Sequence, residues 1–354
     1  MSDPEDRIEK LEAGATRKEG QAKQANKKTP SRERLKRANR DLARQLERTN
    51  QRLARQEEEN AVLRARLARR AAGEELEGVR PENIVWVLGS GRTGSSWLSS
   101  MMRTLPDHAR WNEPNVGNLF GYFYYQRTLQ GKVHKDNFIL ASGFREAWLG
   151  SIRRVVLDGA NARFPELAES GGYLVIKEPH GSLGAPLLME ALPESRMVFL
   201  VREPKDVAAS ALHVSFVRET ASTPRWQEAE EFVRTRAKDY LRDVNYTKQA
   251  YEVHEGRKVL VRYEDLKADT LGTIKRIYTA LEISVEESEL ARAVKKGALE
   301  NIPEDKKGPG TVRRRGTSGG WREDLTPQQV EIVERITAPI LKEFYGQQLR
   351  SSAP

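Results

Sequence analysis

Residues Ile84–Leu98 read IVWVLGSGRTGSSWL, and the rest of the chain is organised around them. The apolar run Ile84-Val85-Trp86-Val87-Leu88 has the length and composition of a buried strand. It breaks into Gly89-Ser90-Gly91-Arg92-Thr93-Gly94-Ser95-Ser96 and resumes as a helix at Trp97-Leu98. Strand, glycine-rich loop and helix together make a phosphate cradle. Glycines let backbone N–H groups turn inward, the helix N-terminus adds partial positive charge, and Ser and Thr hydroxyls add donors. The loop departs from the Walker A pattern, because its cation, Arg92, lies inside the loop and no Gly-Lys pair follows. The alternative reading is a plain glycine-rich turn between strand and helix.

The chain has 354 residues, a formal net charge of +9 and no cysteine. The missing cysteine excludes disulfides, Cys-ligated zinc and a thiol nucleophile. The opening MSDPEDRIEK has no apolar core of a secretory signal, and no apolar run reaches the roughly 18 residues of a membrane helix. The expectation is a soluble, cytoplasmic protein without a membrane span. All six Trp, ten Tyr and nine Phe lie beyond residue 80, so one sizeable core is expected over residues 80–350.

The preceding segment is polar and cannot build a core by itself. Residues 1–34 read as a basic tail without fixed structure. Over 35–75 a heptad seam appears, with Leu35, Leu42, Thr49, Gln56 and Leu63 in one row and Asn39, Leu46, Leu53, Asn60 and Leu67 in the other. This spacing predicts a coiled coil about 50 Å long over Leu35–Leu67. Asn in the a row favours a two-stranded parallel pairing, hence a homodimer. A basic region before heptads is also the layout of a bZIP DNA-binding helix. Gly20 and Pro30 interrupt it, which argues against nucleic acid as a partner.

Four further stretches carry candidate site residues. Glu113 precedes Pro114, where an extended or turn backbone is expected, and it reads either as a surface carboxylate or as a group facing the loop's ligand. A second strand, Tyr173–Ile176, ends in Lys177-Glu178-Pro179-His180, at the position where an open parallel sheet offers residues to a ligand. A third strand, Arg196–Val201, runs into Arg202-Glu203-Pro204-Lys205-Asp206, with Ser210 on the next helix; Arg and Ser together suit a phosphate. After a fourth strand, Val259–Tyr263, comes the glycine-rich basic segment Arg313-Arg314-Arg315-Gly316, followed by Trp321. Residues 116–170 are rich in aromatic side chains and read as mostly helical.

Taken in order, these pieces resemble the sulfotransferases that use 3′-phosphoadenosine 5′-phosphosulfate (PAPS). Arg92, Gly94, Ser95, Ser96 and Trp97 fall on that family's 5′-phosphosulfate loop. Arg202, Pro204, Asp206 and Ser210 fall on its 3′-phosphate motif. Arg314 and Gly316 fall on its C-terminal segment, and Glu113-Pro114 resembles the base of its carbohydrate-type members. The Lys177–His180 stretch resembles the strand end carrying the base His of its cytosolic members, with Glu178-Pro179 in place of one Thr.

The resemblance implies a P-loop NTPase-like three-layer α/β fold with a central parallel sheet, here preceded by the coiled coil. It implies sulfuryl transfer from PAPS to a hydroxyl of a carbohydrate, lipid or other small molecule, without a metal. Glu113 or His180 would be the base and Arg92 the stabiliser of the leaving group. Gly91, Arg92, Thr93, Gly94, Ser95, Ser96, Trp97, Arg202, Ser210, Arg314, Arg315 and Gly316 would hold the donor, with Trp97 stacking near adenine. Two other readings stand beside it: a P-loop kinase-like phosphotransferase, and a coiled-coil scaffold with an inactive α/β domain.

Overall fold

The computed structural model describes residues 40–54, 56–57, 61, 64, 78–135, 137–218, 226–298 and 318–346. The chain divides into two units, Met1–Leu76 and Glu77–Pro354. In the first, residues 40–54 are helical. The seam residues Leu42, Leu46 and Leu53 are all more than half exposed along this helix. Thr49 turns its hydroxyl back onto the Gln45 carbonyl at 2.8 Å, so this polar seam position is satisfied within its own helix. Seam positions Leu35, Asn39, Asn60, Leu63 and Leu67 lie outside the described residues.

The second unit is built on five parallel strands: β1 Ile84–Gly89, β2 His108–Asn112, β3 Tyr173–Lys177, β4 Arg196–Val201 and β5 Lys258–Arg262. Their order is β2-β3-β1-β4-β5. Its helices are α1 Ser95–Met102, α2 Phe123–Leu129, α3 Arg145–Arg163, α4 Pro165–Ser170, α5 Ala185–Ala191, α6 Pro204–Arg218, α7 Trp226–Val253, α8 Tyr263–Ala268, α9 Thr270–Ala280, α10 Glu287–Gly297, α11 Trp321–Asp324 and α12 Pro327–Tyr345.

The three-layer arrangement follows from the strand sequences. β1 and β4 are buried along their whole length, as strands covered on both faces must be. Successive side chains alternate between the two faces. Ile84, Trp86 and Leu88 enter one apolar cluster with Leu174, Ile176, Met197 and Phe199. Val85 and Val87 enter the other with Val175, Val198 and Leu200. The first cluster is covered by α3, through Trp148, Ile152 and Val156, and by α5, α7 and α12. The second is covered by α1, α9 and α10, through Leu98, Met101, Ile274, Ile277 and Leu290.

β1 lies in the middle, between β3 and β4, so the loops after β1, β3 and β4 open at one carboxyl end. Open α/β sheets bind ligands in that crevice. Two features differ from the sequence expectation. β2, HARWN, is a strand that no apolar run announced; four of its five residues are half-buried, as at a sheet edge. α1 starts at Ser95, two residues before Trp97. α12 runs unbroken through Pro339, held at its start by a capping box in which Thr326 and Gln329 satisfy each other's backbone N–H. Among the described residues, no helix is long and apolar enough to cross a membrane.

Candidate active site

The loop between β1 and α1 is shaped by two left-handed residues, Arg92 at φ 70° and Gly94 at φ 93°. Gly94 caps α1, with its carbonyl accepting from the N–H groups of Trp97 and Leu98. A side chain there would strike the Tyr263 ring, since a Cβ would fall 2.5 Å from it. Arg92 has no such excuse: a non-glycine residue in this region costs about 1–3 kcal/mol and persists only where its surroundings hold it.

Those surroundings come from the β4–α6 motif. The Arg92 guanidinium donates through Nε and Nη2 to Ser210 Oγ, both at 3.0 Å. Arg202 Nη1 donates to the Arg92 carbonyl at 3.0 Å, and its guanidinium lies 4.3 Å above the Tyr263 ring. Tyr240 in turn donates its hydroxyl to the Arg202 carbonyl at 2.6 Å. Two cations and a hydroxyl thus meet at the loop, with Arg92 more than a hundred residues from Arg202 and Ser210 in sequence.

The same helix anchors the chain's closing segment. Asp206, buried in the first turn of α6, accepts the N–H groups of Gly319 at 2.7 Å and Trp321 at 3.1 Å. Lys205 lies 4.6 Å from the Trp321 ring centroid and pairs with Glu334 at 2.7 Å. Arg314, Arg315 and Gly316 lie outside the described residues. The chain re-enters the described residues at Ser318, two residues after Gly316, and its anchor Asp206 lies one turn of α6 before Ser210.

On the other side of the loop, the ends of β2 and β3 are knitted together. Glu113 has φ 53° and Asn115 φ 62°, so the Glu-Pro-Asn turn is left-handed on both sides of the proline. The Glu113 N–H bonds the Lys177 carbonyl at 2.8 Å, and its carboxylate pairs closely with the Lys177 ammonium. The Lys177 side chain is 5% exposed and Glu113 31%, so the cation is buried while the carboxylate reaches solvent. Glu178 is buried and accepts N–H groups from Asn115 at 3.1 Å and Gly117 at 3.2 Å. Burial pushes its carboxyl up to about 7; Glu113 adds to the push, while the two N–H donors and Lys177 oppose it. His180 is exposed beside the loop, where a Cβ on Gly91 would fall 2.8 Å from its ring.

A model of the sulfotransferase family matches residues 85–287, more than half of the chain. The chain belongs to the sulfotransferase family. Cytosolic sulfotransferase 12 of Arabidopsis thaliana is 25% identical over 313 residues, covering 72% of this chain and 94% of that protein. The amine sulfotransferase of Oryctolagus cuniculus is 25% identical over 173 residues, 43% of this chain and 56% of its own. Among solved structures, mouse sulfotransferase SULT7A1 complexed with PAP aligns with TM-score 0.49 at 17% identity, covering 76% of this chain and 90% of that one.

Within this sulfotransferase, the residues singled out from sequence divide by what they touch. Arg92, Arg202 and Ser210 form one connected group, and Glu113 and His180 flank the loop from the β2 and β3 ends. Thr93 is fully buried and donates its hydroxyl to the Ser90 carbonyl at 2.8 Å, shaping the loop from within. Ser95 is buried at the start of α1 and Ser96 half-buried beside it. Trp97 donates its indole N–H to the Gly297 carbonyl at 2.9 Å and meets Tyr263 edge-on.

Sequence reasoning assigned no role to Lys177 or Glu178. Their signal lies in being charged residues at the end of an apolar parallel strand, next to the histidine. Asp243 was also missed. It accepts the Ser90 hydroxyl at 3.3 Å beneath the loop, and burial pushes its carboxyl up to about 6 against the pull of Arg242.

Proposed function

We propose that this sulfotransferase uses PAPS as donor and a hydroxyl of a carbohydrate, lipid or other small molecule as acceptor. The observation that carries the reading is the junction of Arg92, Ser210 and Arg202, which gathers two guanidinium groups and a hydroxyl at one glycine loop. A donor with a 3′-phosphate and a 5′-phosphosulfate suits that set. Guanidinium groups grip phosphate oxygens with paired N–H donors, and the helix N-terminus beside Gly94 adds its own. The bare Gly91 Cα leaves room between the loop and His180 that a side chain would take. When bound, PAPS supplies the sulfuryl group and the phosphate leaving group.

The chain's own residues then have distinct tasks. Arg202 and Ser210 bind the 3′-phosphate, with Arg314 closing over it. Arg92, fixed in its left-handed conformation before the reaction, places positive charge where the leaving oxygen becomes negative. Glu113 accepts the proton of the acceptor hydroxyl. Lys177, buried behind Glu113, orients its carboxylate. His180 faces the same opening and positions the acceptor.

Calorimetry on the purified chain tests the donor. PAP is expected to bind without added metal and more tightly than ATP with Mg²⁺. The opposite order of affinity would assign the site to a phosphotransferase.

For the assembly, we propose that residues 35–75 pair two copies through the seam on which Leu42, Leu46 and Leu53 stand exposed. Sedimentation of a Leu46→Asp, Leu53→Asp variant is expected to give the monomer mass. An unchanged dimer would locate the contact in the α/β body.

A further inference from the structure

Among the described residues of the body, eight large apolar side chains are exposed, and six of them fall between residues 119 and 144. They are Leu119, Tyr122, Phe123, Leu129, Ile139 and Phe144, with Leu129 90% and Ile139 76% exposed. Single exposed apolar residues need no explanation, whereas six along one short segment form a patch that a water-facing protein avoids unless something covers it. The segment folds back on itself. The rings of Phe123 and Phe138 pack at 5.6 Å, and the turn Lys132–His134 packs against the turn Ser142–Phe144.

The segment's charge narrows what covers it. Between Pro114 and Arg145 the cations are Arg127, Lys132, Lys135 and Arg145, and Asp136 is the only acid. Arg145 is engaged by Glu190, and Arg127 lies over the Phe123 ring and bonds Gln130. Lys132 and Lys135 stand exposed on the turn that follows Leu129. Aliphatic tips, aromatic rings and lysines side by side are the composition of a surface that lies in the headgroup region of a bilayer. The apolar groups enter the acyl boundary and the lysines meet anionic phosphates. A soluble protein partner would match the apolar area equally well but gives no reason for the near-absence of acids.

The backbone also aims this patch. It begins in a π-helical turn, Asn118–Tyr122, a form that recurs at functional sites. Behind that turn the chain is pressed onto the 179–184 turn: a Cβ on Gly117 would fall 2.0 Å from the Gly181 carbonyl, and one on Gly121 2.4 Å from the Gly184 Cα. That second turn carries His180 beside the donor loop. The patch is therefore the outer surface of the segment that borders the mouth of the site.

We infer that residues 118–144 form a membrane-docking surface that seats the mouth of the site on an anionic lipid bilayer. The inference goes beyond sulfuryl transfer and is tested without it, because vesicle binding requires no donor. The experiment is flotation of the full chain with vesicles of phosphatidylcholine alone or mixed with phosphatidylglycerol, at physiological salt.

The wild-type chain is expected to float with the mixed vesicles and to stay behind with phosphatidylcholine alone. A Leu129→Asp, Ile139→Asp variant is expected to lose at least about tenfold in bound fraction at an unchanged unfolding temperature. A Lys132→Glu, Lys135→Glu variant is expected to lose the preference for the anionic lipid. Three outcomes overturn the inference. The wild type fails to float with the mixed vesicles; or the Leu129/Ile139 variant floats as well as wild type, which moves the contact to the basic segment before the heptads; or that variant changes only the mass of the particle, which makes the face a contact between copies.

Discussion

At the carboxyl end of the sheet, Arg92, Lys177 and Arg202 gather at the loops, each held by a specific partner. At the amino end, roughly 15 Å away along β3, the chain leaves a cavity of about 830 Å³. His108, Tyr173 and Tyr278 line it, and Asp107, Glu282 and Glu289 stand around it. Its one lysine, Lys275, is paired with Glu287. Judged by volume alone, the amino end offers a ligand-sized opening. Judged by charge, it would repel a polyanionic donor, whereas the carboxyl end gathers cations around a glycine loop. Electrostatics and backbone donors, rather than empty space, identify the anion site here.

The largest effect that would break this contrast concerns the proton acceptor. Glu113→Gln is expected to cut turnover on the order of a hundredfold or more while leaving PAP affinity nearly unchanged, as for a lost general base. His180→Asn is expected to cost less. Steady-state kinetics paired with calorimetry separates the two. A dead His180 variant beside a normal Glu113 variant would transfer the role to the β3 end. Because Glu113→Gln leaves the buried Lys177 ammonium without its carboxylate, the melting temperature of that variant is expected to fall as well.

Donor affinity compares the two ends directly. Arg202→Ala is expected to weaken PAP binding by about 2–3 kcal/mol, the cost of a lost charge-assisted contact. Glu289→Gln, at the cavity, is expected to leave it within about twofold, since screened charges this far away contribute little. If the two variants behave alike in calorimetry, the assignment by charge fails.

The smallest effect is a dependence of stability on pH. The Glu178 carboxyl is raised to about 7 in the folded chain from 4.5 as reference. The folded state therefore binds this proton more tightly than the unfolded state. The stabilisation is complete below the unfolded value and is lost as pH rises through about 7. Unfolding free energy is expected to fall between pH 5 and pH 8, and Glu178→Gln to flatten that fall by about 2 kcal/mol. Asp243, raised to about 6, keeps a smaller slope of the same sign. Denaturant titrations at the two pH values give the slopes, and an unaltered slope in the variant would mean that Glu178 is ionised in the fold well below pH 7.

The parts of this molecule that were legible in its sequence are those encoded locally. The loop after β1 announces itself within fifteen residues, because an apolar run, a set of glycines and a helix follow one another. Arg202 and Ser210 share one strand–helix turn. What stayed hidden depends on contacts across the fold. Glu113 and Lys177 are 64 residues apart, and only the register that pairs Asn112 with Lys177 brings them together. β2 escaped because an edge strand with half-buried residues has no apolar run to show. A hydroxyl in a loop likewise gives no sign of which way it turns, and that of Thr93 turns to the Ser90 carbonyl.

The glycine contacts behind the surface segment have a mechanical consequence. Gly117 lies against Gly181, and Gly121 against Gly184, backbone on backbone, with no side-chain layer between them. Packed side chains absorb small displacements by changing rotamer; bare backbones in contact have no such slack. Backbone contact and the Asn115 and Gly117 N–H groups therefore tie residues 115–122 directly to the turn bearing His180 and to Glu178. The outer side chains can be exchanged for others without disturbing that linkage, while the four glycines cannot. The surface that meets the outside world and the packing that ties the segment to the site are thus encoded by different residues of the same short segment.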